Sequence, residues 1–466
     1  MLHCLRSIPL FFLLLELETL IEGTDAGDDD VDANVLLQHP IQVGQVKAES
    51  LNSLGAKQFC GESTYAAIIG SGIAGVGAGV ALSEQGKPFV ILEAEQIPGG
   101  HEATWREVSE VDQEVTCHLD VGFMFAHRHA YPGLVSVIER ANLTMTPEFI
   151  NFTTPRFSNR KVTTFQHEVK RFEELAKEGA HLQNITFVDW LHAHDFSEEF
   201  MTHVILPAVS ISFVEGKDSA YYKSAAEMTG MLARKHWLGL TESMRPELFR
   251  VSGGNDQIIK SLLSEHAMDL RTDAKVVSVR VISDKEVQIQ FSSKLTGAPK
   301  GCITAEMVIW SVSPKIVLET YQNPTLEQLT LLHKYEMRAS FGILHSCPDL
   351  VFASMFDQSA QHAVAMSNDS LIISGRLGYE NSTACPQVLS ISENRFALER
   401  HLQTCERVLR QYSWEHPLQS MTVLHQLRQE TFSFGNVRFV GSWAAELSHE
   451  NAFQSGRGLG EWHDFH

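Results

Sequence analysis

The sequence predicts a mixed α/β protein, in which a Rossmann-like nucleotide-binding domain is interleaved with a mixed α+β domain. The chain has 466 residues, which is long enough for two domains. Its content of 44% hydrophobic and 20% charged residues is typical of globular proteins. A strand, a glycine-rich turn, a helix and a second strand follow one another near the beginning. Together these observations favour a large α/β body over a small disulfide scaffold or a disordered chain.

The nucleotide-binding prediction begins at an apolar run over residues 65–69, which is typical of a buried strand. This run is followed at once by the sequence Gly70-Ser71-Gly72-Ile73-Ala74-Gly75. A helix rich in alanine and glycine continues to Leu82, and a second strand over residues 89–92 ends at Glu93. The pattern predicts a complete βαβ unit that binds a dinucleotide.

The spacing within this unit has a chemical explanation. Gly70 permits a tight turn, Gly72 lets backbone amides approach a pyrophosphate, and Gly75 lets the helix pack closely on the strand. Glu93 follows Gly75 by 18 positions. A carboxylate at the end of the second strand accepts hydrogen bonds from both ribose hydroxyls and disfavours a 2′-phosphate. We therefore expect a cofactor whose adenosine carries no 2′-phosphate, and not NADP.

Beyond Glu93, the glycine doublet of Gly99-Gly100-His101 resembles the flavin-containing amine oxidase superfamily, in which arginine usually stands after the doublet. Further blocks in the family order lie at residues 119–123, 249–255, 307–314 and 436–443. The resemblance implies FAD as cofactor and a glutathione-reductase-like form of the Rossmann domain. It adds these cofactor-binding residues to those of the βαβ unit: Gly99, Gly100, His101, Val276, Gly441, Ser442 and Asn451.

Two narrower resemblances point in different directions. The tail His449-Glu450-Asn451, together with residues 120–123, is similar to a bacterial-type branch of predicted NAD/FAD-binding proteins in the amine oxidase group. Residues 253–255 and the secretory features described below are similar to prenylcysteine oxidases, which are lumenal FAD enzymes. Both resemblances imply FAD, and the choice between the two branches stays open.

The beginning of the chain is typical of a secreted protein. Arg6 precedes the apolar run 8–15, and small residues follow at Gly23 and Ala26, which predicts a cleaved signal peptide. Acceptor tripeptides for N-glycosylation begin at Asn142, Asn151, Asn184, Asn368 and Asn381. Six cysteines remain after the leader, so either buried thiols or one or two disulfides are expected, and their pairing stays open. We expect secretion, or a lumen of the secretory or endolysosomal pathway, with no membrane span after cleavage.

The order of the segments follows from these features. It comprises a signal peptide over 1–23, an acidic leader over 24–63, FAD-domain parts over 64–146, 248–320 and 428–466, and substrate-domain parts over 147–247 and 321–427. Phe187, Trp190 and Leu191 belong to an apolar set in the first substrate segment. This set forms either an ordinary helix core or the lining of a lipophilic pocket.

Charge and motifs exclude several classes of function. The net charge of −20 disfavours nucleic acid and anionic membranes as partners. The histidine pairs 127/129 and 192/194 lack a third ligand at a recognised spacing, so no metal is expected. No GxSxG motif for a serine nucleophile is present.

An FAD-dependent oxidoreductase of the amine oxidase type is the preferred hypothesis. It would oxidise a small amine-like or lipophilic substrate by hydride transfer, with molecular oxygen as acceptor. The alternatives are a thioether oxidase similar to prenylcysteine oxidases and a non-catalytic flavin-binding protein. His449 and Glu450 are the candidate catalytic residues, because they should lie at the start of a helix facing the flavin. A helix-capping role for both residues is the alternative.

Overall fold

The computed structural model describes most of the chain beyond the leader. The described residues are 60–109, 112–148, 152–155, 158, 165–176, 185–213, 223–229, 232, 248–355, 358, 360, 362–367, 370–377, 384–418, 432–444 and 448–459. The predicted signal peptide, nearly all of the predicted acidic leader and four of the glycosylation sites (Asn151, Asn184, Asn368 and Asn381) lie outside them. Residues 60–466 belong to one compact unit.

The strands of the described residues are, in chain order, β1 (Glu62–Ile69), β2 (Phe89–Leu92), β3 (Thr104–Val108), β4 (Thr116–Asp120), β5 (Ala126–His127), β6 (Met145–Glu148), β7 (Phe152–Thr153), β8 (Leu248–Val251), β9 (Asp269–Arg271), β10 (Lys275–Ser283), β11 (Glu286–Ser292), β12 (Pro299–Trp310), β13 (Glu336–His345), β14 (His362–Ser367), β15 (Ser370–Arg376), β16 (Val388–Ser392), β17 (Val408–Leu418), β18 (Ser433–Phe434) and β19 (Val437–Phe439).

The α-helices of the described residues are, in chain order, α1 (Ile73–Glu84), α2 (Pro132–Arg140), α3 (Gln166–Ala176), α4 (Phe187–Ala193), α5 (Glu198–Phe200), α6 (Leu206–Phe213), α7 (Ala225–Thr229), α8 (Asp256–Glu265), α9 (Pro314–Thr320), α10 (Leu326–His333), α11 (Pro348–Phe352), α12 (Arg395–His401) and α13 (His449–Arg457). A 3₁₀ turn spans Gly100–Glu102, and a π-helical turn over Met201–Ile205 leads into α6.

The largest sheet contains the predicted βαβ unit. β1 lies parallel to β2 on one side and to β12 on the other, and β9 and β19 extend the parallel set outward from β2 and β12. A β10–β11 meander joins the amino-terminal half of β12, and β18 pairs with β19. The strand predicted over 65–69 therefore exists, although it begins at Glu62. The carboxyl ends of the parallel strands share one edge, where ligands of open α/β sheets bind.

A second sheet of six strands has the order β17-β13-β16-β15-β14-β7. Its neighbours run antiparallel except for β14 and β7. All of these strands come from the two predicted substrate segments. The class of the fold, mixed α/β, is thereby confirmed. No observation tests the predicted boundaries between domains, which stay predictions.

The helices of the first substrate segment pack around an aromatic core. The Phe187 side chain is fully buried and lies nearly parallel to Trp190, with ring centroids 6.1 Å apart. Phe172 meets both rings edge to face. Such mutual contacts are typical of a packed interior. The structure therefore favours the helix-core interpretation of Phe187, Trp190 and Leu191 over the pocket-lining one.

The six cysteines beyond the leader form three disulfides, Cys60–Cys302, Cys117–Cys385 and Cys347–Cys405, which is more than the one or two predicted, because every one of the six has a partner. The first two connect residues 242 and 268 positions apart. The second bond ties the β4 strand to the chain just before β16. Within the described part of the chain, no helix is both long and apolar enough to cross a membrane.

Candidate functional site

The turn between β1 and α1 requires glycine at its first position. Gly70 has a φ of 98°, in the region that only glycine adopts readily. A Cβ atom there would lie 2.9 Å from Val312 Cγ1, and the Gly70 N–H donates to the Leu92 carbonyl at 2.9 Å. The chain consequently leaves β1 in a tight turn at the carboxyl edge of the parallel sheet.

Gly72 has a different reason for being glycine. Its φ of −63° is accessible to any residue, and a Cβ atom added to it would meet no atom of the described residues within 4 Å. Neither the backbone nor a protein contact therefore requires glycine at this position. A bound group that needs close approach to the backbone explains it, as the sequence pattern predicts.

The second glycine pair lies against this turn. Gly99 and Gly100 both have positive φ values, 121° and 58°, and a Cβ atom on Gly100 would lie 3.5 Å from Gly72 Cα. Ser71 is fully buried, and its hydroxyl accepts from the Gly99 N–H at 3.3 Å. We refer to residues 70–75 together with 99–100 as the glycine cradle. Its backbone surface fits a pyrophosphate, because no side chain of these glycines stands in the way.

Glu93 lies beside the cradle, at the end of β2. Its carboxylate accepts from the Ser71 N–H at 2.8 Å and from the Ser71 hydroxyl at 2.6 Å. It also accepts from the Glu95 N–H at 2.8 Å. The Glu93 N–H donates to the Arg271 carbonyl, and the Glu93 carbonyl accepts from the Ala274 N–H, so its backbone pairs with the segment before β10. Val276 follows directly and is buried, so the two predicted adenosine contacts, Glu93 and Val276, lie on adjacent segments.

This chain has His101 directly after the doublet, where the resembling family usually has arginine. Arg106 does not replace that arginine, because its bonds lead away from the cradle. Its guanidinium donates to both Asp256 oxygens, at 2.6 and 2.7 Å, and to the Gly253 carbonyl at 3.0 Å. Burial raises the pKa of Asp256, but hydrogen bonds from Arg106 and Lys260 outweigh that effect and lower it. Arg106 thus holds the start of α8 against β3.

The Asp120-x-Gly122 block packs under the glycine doublet. Gly122 lies so close to His101 that an added Cβ would overlap the His101 carbonyl, which accepts from the Phe123 N–H at 2.7 Å. Asp120 accepts from the Thr104 hydroxyl at 2.6 Å and from the Asn255 N–H at 2.9 Å. Burial raises the pKa of Asp120 to about 6 despite these bonds. Asp120 is therefore a structural link between β3 and the start of α8.

The last helix completes the site, as the sequence predicts. Ser448 is its N-cap and accepts from the Asn451 N–H at 3.0 Å. An added Cβ on Gly456 would overlap the Ala74 carbonyl, and one on Gly77 would lie 2.6 Å from the Phe453 carbonyl oxygen. Because early residues of α1 meet α13 without side chains between them, the two backbones pack in direct contact. Both helices begin near the cradle.

Gly441 and Ser442 follow β19 at the same sheet edge. Gly441 has a φ of 134°, and its N–H donates to the Ser455 hydroxyl of α13 at 3.2 Å. The bond fixes the end of the last strand beside the last helix. The structure thus brings together the predicted residues of the cradle, Glu93, His101, Gly441, Ser442 and Asn451 around one edge of the sheet.

The two candidate catalytic residues have different environments. His449 stacks on Phe123, with ring centroids 4.1 Å apart, and its Nε2 lies 3.3 Å from Glu102 Oε1. Glu450 is 5% exposed, and its carboxylate accepts from the Gly133 N–H at 2.9 Å and from the Leu134 N–H at 3.0 Å. Glu450 therefore caps α2, a helix more than 300 residues earlier in the sequence. These contacts favour a capping role for Glu450, and on a helix other than its own.

Glu102 was not among the predicted site residues, and it is 2% exposed beside the cradle. Burial raises its pKa to about 8, against the opposing effect of nearby backbone N–H groups, including that of Ile73. A carboxylic acid two positions after the glycine doublet was the available signal. Asn255 was not predicted either, and its side chain donates to the Phe123 carbonyl at 2.6 Å.

We predict that Glu450→Gln lowers the free energy of unfolding by about 2 to 3 kcal/mol, because a buried carboxylate loses charge-assisted bonds to two backbone amides. Denaturant unfolding measures this change. Glu265→Gln is the control, since the Glu265 carboxylate is 41% exposed in its pair with Arg140, and we expect it to cost less than about 0.5 kcal/mol. Equal stability of Glu450→Gln and the wild type would contradict the capping role.

Comparisons with known proteins agree with this geometry. The model of the family described as flavin containing amine oxidoreductase matches residues 73–348. No curated protein sequence matches significantly. Among solved structures, putrescine oxidase bound to putrescine is 14% identical with a TM-score of 0.57, over 85% of this chain and 97% of that one.

Two further solved structures cover the same shares, 85% of this chain and 97% of theirs. Cyclohexylamine oxidase from Brevibacterium oxydans IH-35A is 16% identical with a TM-score of 0.56. A fatty acid isomerase from P. acnes that produces CLA is 10% identical with a TM-score of 0.60. At these identities the structures show a shared fold. The family match spans more than half of the sequence and includes α1, the doublet and the Asp120 block. The chain is therefore an FAD-dependent oxidoreductase that belongs to the family of flavin-containing amine oxidoreductases.

Proposed function

We propose that the glycine cradle binds the pyrophosphate of FAD. The observation that carries this proposal is Gly72, whose lack of a side chain is required by neither its backbone conformation nor any protein neighbour. The start of α1 directs backbone N–H groups at the cradle, and a helix start favours anions. The parallel strand order β9-β2-β1-β12-β19 supports the finer assignment to the glutathione-reductase-like form of the Rossmann domain.

The remaining contacts with FAD follow from the same arrangement. Glu93 is the acceptor for the ribose hydroxyls, and its bonds to Ser71 hold the carboxylate at the cradle. Val276 contributes backbone at the adenine. The start of α13, with Asn451 in its first turn, would present N–H groups to bound FAD. A helix start that faces the flavin would favour its reduced, more negatively charged state.

We further propose that the protein oxidises an amine-like or lipophilic small molecule with oxygen as acceptor. Bound FAD supplies the site that takes up the electron pair. The substrate loses two electrons and two protons, and molecular oxygen takes them up as hydrogen peroxide. His449 is the chain's candidate for holding a proton near the flavin, because its imidazole is partly exposed, stacked on Phe123 and next to a buried carboxyl. Glu450 acts as a positioning residue that anchors α13 to α2.

Secretion or residence in a lumen of the secretory or endolysosomal pathway is the proposed location. The leader pattern and the acceptor tripeptides support it. The three disulfides support it too, since such bonds persist in oxidising compartments. Asn142, the acceptor residue that the structure describes, is exposed just after α2 and has a φ of 53°. An exposed turn of this kind is accessible to a glycosyl transfer enzyme.

Substitution of two glycines separates cofactor binding from folding. We expect Gly72→Val to give a folded, colourless protein. The new side chain enters the proposed pyrophosphate space, and its Cβ meets no atom of the described residues within 4 Å. Gly456→Ala should instead lower the free energy of unfolding by about 1 to 3 kcal/mol, because its Cβ overlaps α1. Flavin absorbance and thermal unfolding report the two properties. A yellow Gly72→Val protein would refute the placement of FAD in the cradle.

Glycan analysis of the protein made in cells tests the location. We expect an endoglycosidase to lower the apparent mass of the wild type, and Asn142→Gln to lack one glycan and to lose about 1 kcal/mol of stability, since asparagine adopts the left-handed conformation at this exposed position more readily than glutamine. An unshifted band for the wild type would argue against passage through the secretory pathway.

A substrate screen tests the reaction. We expect one compound among amines, thioethers and lipids to bleach the flavin of the purified protein without oxygen, and readmitted oxygen to restore the colour with formation of hydrogen peroxide. His449→Ala should then bleach more slowly, by about 10²-fold if its proton transfer contributes as general acids and bases usually do. Its FAD content serves as the control. Bleaching at the wild-type rate would remove His449 from the chemistry.

A further inference from the structure

We propose that Glu102 is a cofactor-binding residue whose carboxyl group must carry a proton, alone or shared with His449, for FAD to stay bound. Release of FAD then accompanies loss of this proton. The inference rests on the proposed placement of the pyrophosphate in the glycine cradle. It assigns a task to a residue that neither the dinucleotide-binding pattern nor the glycine doublet includes.

The position of Glu102 carries the argument. It ends the 3₁₀ turn Gly100–Glu102, whose first residue, Gly100, belongs to the doublet and lies against Gly72. The side chain is 2% exposed and lies near the N–H of Ile73, the first residue of α1. The amide groups that begin α1 are those that the proposed pyrophosphate uses. Glu102 therefore shares the positive helix start with the pyrophosphate.

A second helix start meets the same carboxyl group. His449, the first residue of α13, places Nε2 at 3.3 Å from Glu102 Oε1. Glu102 thus lies between the beginnings of α1 and α13, the two helices that pack through Gly77 and Gly456. A single proton can lie on either member of this pair. If the carboxyl group carries it, both groups are neutral; if the imidazole carries it, the two groups have opposite charges. In both cases the net charge is zero.

The described segments that pack around this 3₁₀ turn carry other titratable or charged groups, although the first turn of α1 carries no acidic side chain. These groups are His101 on the same turn, Asp120 on β4, Asp256 and Lys260 on α8, and His449 and Glu450 on α13. The carboxylates in this set have compensating partners. Asp256 pairs with Arg106 and Lys260, Asp120 accepts two hydrogen bonds, and Glu450 accepts backbone bonds from α2.

The sign of the pH dependence follows from the environment of Glu102. Burial raises its pKa to about 8, so the free protein holds the proton at neutral pH and loses it above about pH 8. A bound pyrophosphate disfavours a second negative charge in the same cradle, and therefore raises the pKa of the pair further. FAD affinity must then fall as the pH rises above the pKa that Glu102 has in the protein without FAD.

Dissociation constants measured from the holoprotein test this inference. A dilution series at pH 7 and at pH 9, with free FAD measured by fluorescence at equilibrium, should show about tenfold weaker binding at pH 9, as loss of one proton with a pKa near 8 requires. Glu102→Gln should bind with less than about a twofold change between these pH values, because an amide does not titrate. Glu95→Gln is the matched control, since Glu95 is close in sequence and its side chain is 60% exposed, and it should keep the wild-type dependence.

The outcomes separate this inference from the proposed function. A wild-type affinity that is constant from pH 7 to pH 9, or a Glu102→Gln variant with the wild-type dependence, overturns the role of Glu102 and leaves the cradle assignment standing. Absence of FAD from the wild type at both pH values overturns the cradle assignment itself. If Glu102→Gln does not fold, proton release from the wild type decides. Loss of FAD at pH 8 should release about half a proton per FAD, and zero protons would overturn the inference.

Discussion

The direct backbone contact between α1 and α13 is the constraint on which the site depends. Gly77 and Gly456 allow it, because a side chain at either position would overlap the other helix. The contact joins residues almost 400 positions apart and brings two helix starts to one edge of the parallel sheet. Two partial positive charges then face the same space. An anionic cofactor can be held there largely by backbone dipoles, with Arg106 committed to Asp256.

The buried carboxyl groups around this edge have different environments and therefore different roles. Glu450 is surrounded by N–H donors from α2, and Asp256 by two cations, so both carboxylates have partners that stabilise the charge. Glu102 faces His449 and few other donors, and its pKa rises accordingly. The difference in partners distinguishes Glu450 and Asp256, which anchor the fold, from Glu102, which can exchange a proton with its surroundings.

The sequence was sufficient for features whose cause is local. The βαβ unit follows from residue order, since the turn at Gly70, the packing at Gly75 and the acid at Glu93 each depend on near neighbours. Contacts between distant segments could not be deduced in this way. The partners of Glu450 lie 317 and 316 positions away, and the disulfide pairs are one of fifteen combinations of six cysteines. Burial of Glu102 was equally hidden, because it depends on where α13 packs.

The glycines of this protein are required for two different reasons, and a sequence motif alone does not tell the two apart. Gly75, Gly77 and Gly456 are required by the protein itself, since an added Cβ would strike backbone atoms. Such glycines would be kept even in a relative that had lost its cofactor. A Cβ atom on Gly72 would meet no atom of the described residues within 4 Å, and a bound group gives a reason for the glycine there. A flavin-binding relic would lose the constraint at Gly72 first, so a glycine at this position favours a protein whose cradle still holds its cofactor.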